Sequence, residues 1–175
     1  MKKFCLTSMI VLFLLLCSNG MKAQPNQTKL DQVDLIKQFI GKWKCEMDKG
    51  KMCYIDVKLY GTALDEKRKF VKKDKTVDTW KEIIGYDKIT DKYIDAQIWK
   101  SSPDIHLYAL WFTSKNICEI VLFKDVSNPD KAELKWKWEF KSSDSVTETK
   151  TKDGKEVSVL TYTRYTPDKN DLKNF

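Results

Sequence analysis

The chain has 175 residues, 42% apolar and 33% charged, a length that suits one domain and a composition that excludes a disordered or fibrous protein. Its formal net charge of +7 comes from lysines alternating with acids rather than from a basic cluster, which argues against a nucleic-acid footprint.

At the N-terminus, Lys2 and Lys3 precede an apolar run from Met9 to Cys17, then Ser18-Asn19-Gly20 and Lys22-Ala23. That order predicts a secretory signal peptide cut near Ala23. The run is shorter than the roughly 20 residues of a membrane-spanning helix, so no transmembrane span is expected. Leu14-Leu15-Leu16-Cys17 has the outline of a lipobox, but Leu16 stands where a small residue is required, which disfavours a lipid anchor at Cys17. Cleavage removes three lysines and no acids, leaving 152 residues with charge +4, addressed to the outside of the cell or to the periplasm. The expected organisation is a signal peptide at 1–23, a barrel domain at 24–166 and a polar tail at 167–175.

Leu30, Val33, Ile36 and Ile40 follow a helical spacing, and the chain then enters a first strand at 42–47. Period-two alternation broken by turn residues predicts further strands at 51–60, 64–72, 76–85, 92–100, 105–113, 117–124, 131–141, 145–151 and 155–165, a meander. Asp153-Gly154 is a type I′ hairpin signal, and Asp48-Lys49-Gly50 reads as a three-residue loop with Gly50 left-handed. The second loop sets Cys45 opposite Cys53. Both are among the three cysteines left after cleavage, with Cys118, so at most one disulfide can form within the chain; a Cys45–Cys53 bridge and a pair of buried thiols remain open alternatives. Ala132, Leu134, Trp136, Trp138 and Phe140 share one face of a strand whose other face is charged. Residues 105–112 and 117–123 are apolar on both faces, so something must cover their outer side. The helix at 30–40 or a second copy, in a homodimer through strands 105–123, are the candidates.

Closing the meander removes its edges by pairing first strand with last, which brings Trp43 near Tyr162 and Arg164. Gly41-x-Trp43 after a short helix, with Arg164 on the final strand, resembles the calycin superfamily, the lipocalins and their relatives. Gly85-Tyr86-Asp87 followed by Lys92-Tyr93, and Asp153-Gly154-Lys155-Glu156 running into Thr161-Tyr162-Thr163-Arg164, resemble more closely a bacterial lipocalin-like family of unknown function. The resemblance covers about residues 35 to 165. It implies an all-β, up-and-down antiparallel barrel of about ten strands with a short N-terminal helix, a structural seam of Gly41, Trp43 and Arg164, and a small hydrophobic or amphipathic ligand inside. Heme-binding relatives place a histidine near the C-terminal strands; His106 is in the middle of the chain, and no cofactor is implied.

Candidate ligand-binding residues are Tyr162, Arg164, His106, Tyr108, Trp111, Trp136 and Trp138, with Trp80 and Trp99 as further aromatics for a cavity. Tyr162 and Arg164 on one face could hold an anionic head group; Arg164 over Trp43 could equally be a structural cation–π contact. His106 beside Tyr108 is an acid–base candidate for an enzyme alternative, although no orienting partner or metal set accompanies it. The other carboxylates are expected on turns and outward faces. An interaction module built on the doubly apolar strands is the remaining alternative.

Overall fold

In a computed structural model, residues 29–48 and 50–167 are described; the expected signal peptide, Cys17, Lys49 and most of the tail lie outside them. The described residues form ten antiparallel strands: β1 (Gly41–Asp48), β2 (Lys51–Tyr60), β3 (Ala63–Lys72), β4 (Lys75–Asp87), β5 (Lys92–Trp99), β6 (Ile105–Ser114), β7 (Ile117–Leu122), β8 (Leu134–Ser142), β9 (Ser145–Lys152) and β10 (Lys155–Arg164). Each pairs with its sequence neighbours, and β1 closes on β10 through Trp43 opposite Arg164 and Lys44 opposite Thr163. The result is a closed up-and-down barrel with no free sheet edge. No described helix is long and apolar enough to cross a membrane.

Turn chemistry sets the register. Asp153 and Gly154 both have positive φ (50° and 73°) between paired Lys152 and Lys155, as a type I′ hairpin requires. Gly50 is left-handed at φ 78°, and Cys45 does face Cys53 across β1 and β2. Cys45, Cys53 and Cys118 are buried free thiols.

The short helix α1 (Gln32–Leu35), capped by the Asp31 carboxylate accepting from the Asp34 N–H at 3.0 Å, runs into a 3-10 turn, Ile36–Phe39. Gln32 pins it to the barrel: its amide donates to the Phe112 carbonyl at 2.9 Å and accepts from the Phe112 N–H at 2.7 Å. Those backbone groups lie where the β6–β7 register shifts between Phe112 and Ser114; an irregularity in a ladder exposes groups for other partners. Ile36 and Phe39 join the interior cluster, so the helix plugs one end of the barrel.

The cover over the doubly apolar strands differs from expectation. Residues 131–133 are not strand; with 3-10 turns at Phe123–Asp125 and Pro129–Lys131 they belong to the β7–β8 connection. Ala132 and Val126 from this connection pack on Ala109, Val121, Ile94 and Trp111, a second apolar cluster on the outer wall. The β7–β8 connection, rather than helix α1, shields that part of the sheet.

Candidate functional site

Antiparallel order places the starts of odd-numbered strands and the ends of even-numbered ones at the helix-plugged end. This floor is aromatic. Phe39 lies 5.1 Å from Phe140 and 5.3 Å from Trp138 between ring centroids, and Trp43 is 6.3 Å from Phe140. The Trp43 indole N–H donates to the Phe39 carbonyl at 2.8 Å. Arg164 seals the floor from outside, its guanidinium 4.1 Å from the Trp43 ring centroid while donating to the carbonyls of Gln38, Ile40 and Ser143. A Cβ on Gly41, whose φ is +127°, would sit 2.0 Å from an Arg164 nitrogen; only glycine leaves room for the guanidinium there.

Above the floor is a cavity of about 390 Å³, bounded below by Phe39 and walled by all the strands but β2, within the size range of small-molecule sites. Its upper rim, away from the helix, is an aromatic collar. Trp80 and Trp99 stack at 4.0 Å with planes 25° apart, Phe70 lies 4.7 Å from Trp80, and Trp136 meets Tyr108 edge-on at 5.5 Å. Side chains in this collar are mostly half-buried, whereas Trp138 and Tyr162 below are buried and stack at 5.1 Å.

Between floor and collar runs a belt of ionisable side chains. Glu66, Glu82 and Asp95 are almost wholly buried (1%, 1% and 3% exposed), and Glu148 joins them in the lining. One guanidinium serves them. Arg68 lies between Trp80 and Trp138, at 5.3 and 5.4 Å from their ring centroids, donates to Glu66 and reaches Glu82 at 3.2 Å. The Trp80 indole N–H also donates to Glu82. Burial penalises the charged carboxylates and pushes Glu66 up to about 7, Glu82 to about 8 and Asp95 to about 7, with Arg68 pulling the other way. Glu148 is raised by the same burial. Two of these acids, Glu82 and Asp95, lie against each other, an arrangement that favours holding one proton between them.

The sequence-selected residues divide by position. Tyr108, Trp136, Trp138 and Tyr162 line the cavity, as do Trp80 and Trp99. Trp111 is on the outer wall in the second apolar cluster, with the Lys92 ammonium 5.0 Å from its centroid. His106 is exposed at the collar end of β6 and does not line the cavity. Arg164 is below the floor. The acidic belt is what the sequence reading missed: Glu66, Glu82, Asp95 and Glu148 were expected to face outward. Their parity with Phe70, Trp80, Trp99 and Val146 was the available signal, since residues two apart share a face.

No family model matches the chain, and no curated protein does. The closed ten-strand antiparallel barrel is compatible with a lipocalin-like fold.

Proposed function

We propose that this chain is a secreted or periplasmic carrier, a lipocalin-like member of the calycin type, that holds a small amphipathic molecule in its barrel. The observation that carries the reading is the 390 Å³ cavity, floored by Phe39 and collared by Trp80, Trp99 and Trp136. Large aromatics supply apolar contact area at low entropic cost, and the belt beneath them offers polar groups to orient a head group. Tyr108, Trp136, Trp138 and Tyr162 are the proposed contact residues. Native mass spectrometry of protein from its own host, with tryptophan-fluorescence titration against a panel of neutral, anionic and cationic amphiphiles, tests it. Saturable quenching is expected, with a rise in stability of about 2.7 kcal/mol at ligand 100-fold above its dissociation constant. A panel without one saturable response overturns the reading.

A second reading, self-association, draws on a different surface. Ile83, Ile98, Ile105 and Leu107 are exposed on the outer wall of β4–β6, where Ile98 pairs with Ile105 and Ala96 joins Ile83 to Leu107. Sedimentation of the wild type against Ile98→Lys tests for a dimer.

A further inference from the structure

We propose that the cavity selects a cationic amphiphile, a protonated amine or guanidine whose head sits in the belt against Asp95, Glu82 and Glu66 while its apolar body lies in the aromatic collar. This rests on the carrier reading and names the class of its ligand.

The argument begins with which charges are already engaged. Four carboxyls face the cavity, Glu66, Glu82, Asp95 and Glu148, against two cations, Arg68 and Lys150. Arg68 is committed to Glu66 and Glu82 and held between two indoles. Lys150 lies higher, its ammonium 5.2 Å from the Trp136 centroid, beside Glu148. An incoming carboxylate would therefore meet an engaged guanidinium among surplus acids, which repel it strongly in a dry site wherever they are ionised.

The second observation is an orphaned acceptor. Asp95 accepts from the Gln97 amide through Oδ2 at 2.8 Å, but its buried Oδ1 has no donor. Glu82, another acid, lies beside Asp95, so a shared proton or a donor brought by a ligand must satisfy Oδ1; a buried acceptor left bare costs about 1–3 kcal/mol. An ammonium carries three donors and a guanidinium five, and either can replace that proton between Asp95 and Glu82. Trp80, Trp99 and Trp136 above add ring faces for the body. Among the described residues no three acids, histidines or cysteines converge as metal ligands would, which favours an organic cation.

Exchange of a proton for a cation makes binding depend on pH. The groups that titrate or carry charge around the belt are Cys45 on β1, Cys53 on β2, Glu66 and Arg68 on β3, Glu82 on β4, Asp95 on β5, Tyr108 on β6, Glu148 and Lys150 on β9, and Tyr162 on β10. Tyr108 and Tyr162 are raised by burial above the ordinary phenol range, and the hydrogen bond between the two thiols lowers Cys45 and raises Cys53; Glu66, Glu82 and Asp95, at about 7, 8 and 7, change state near neutrality. As they ionise with rising pH, cation affinity rises.

The test compares phenylbutylamine, phenylbutanol and phenylbutyrate, one body with three heads, by isothermal titration calorimetry on the mature chain. At about pH 8.5 the amine should bind about tenfold or more tighter than the alcohol, and the acid weakest, with the amine's advantage shrinking at about pH 5.5 and its heat varying with buffer ionisation as protons are released. Asp95→Asn should remove most of the amine's advantage over the alcohol. Glu66→Gln serves the same purpose if Asp95→Asn does not fold. An acid or alcohol that binds as tightly as the amine overturns the cationic head group and leaves the carrier reading standing. No saturable binding by any of the three or by the wider panel overturns both.

Discussion

Arg164 at the floor and Arg68 in the belt are both arginines stacked on tryptophan, and they differ in what surrounds their nitrogens. Arg164 donates to three backbone carbonyls, Gln38, Ile40 and Ser143, and covers Trp43. Arg68 faces Glu66 and Glu82, with Asp95 and Glu148 nearby. These neutral, fixed acceptors, with the exposed Asp144 carboxylate 3.7 Å from Nε, make a joint that depends little on pH. Surplus carboxyls make a site whose charge is variable and whose acceptors are partly unfilled, which suits recognition better than support.

Truncation at the floor gives the largest expected effect. Trp43→Ala should cost about 3–5 kcal/mol, read from the urea midpoint, because it empties the core beneath Arg164. An unchanged midpoint would mean that the floor does not hold the seam.

The belt should respond to pH instead. Glu66, Glu82 and Asp95 have folded values near 7, 8 and 7, above the ordinary carboxyl range of about 4. Between those limits the folded state holds protons that the unfolded state has lost. Stability is thus full below the unfolded value and falls as pH rises through the folded ones, by about 1.4 kcal/mol per pH unit for each such group, levelling off above them. Denaturation at a series of pH values should show that decline, and Glu82→Gln should flatten it. A flat profile in the wild type would equate belt with floor.

Gly41→Ala should cost about 1–3 kcal/mol, from a disfavoured φ and displacement of the Arg164 guanidinium. His106→Gln, at the exposed rim, should fall within about 0.5 kcal/mol of wild type in the same assay. A large loss there would show that the collar end bears more of the fold than the contacts indicate.

How far these regions could be read from sequence follows from their patterns. Strand β8 alternates cleanly, with Trp136, Trp138 and Phe140 inward, and the Trp43–Arg164 pairing followed from closing a meander of short links. Strand β5 inverts the usual sense: Tyr93, Asp95, Gln97 and Trp99 face inward while Ile94, Ala96 and Ile98 face out, Ile94 under the Val126–Ala132 segment and Ile98 in solvent. Strand β3 carries charge at both parities, Glu66 and Arg68 inward, Asp65 and Lys67 outward, so hydropathy alternation has nothing to discriminate. The acidic belt was hidden because a buried polar cluster breaks the rule by which inward faces are found. The outer cover was hidden for another reason: Ala132 continues the inward parity of β8 on paper, yet the chain turns at Pro129–Lys131 before the strand begins.

The seam is also narrow. Two partner pairs join β1 to β10, against ten between β2 and β3. Residues 43 and 164 meet only when nearly the whole sheet has been laid down, so closing the ring carries the largest loop-entropy cost and comes late in folding. Reversed, the ring parts there first. What emerges is a curled ribbon with two bare strand edges, able to pair with another chain. The Arg164 contacts, tying β10 to Gln38, Ile40 and Trp43, hold those edges together.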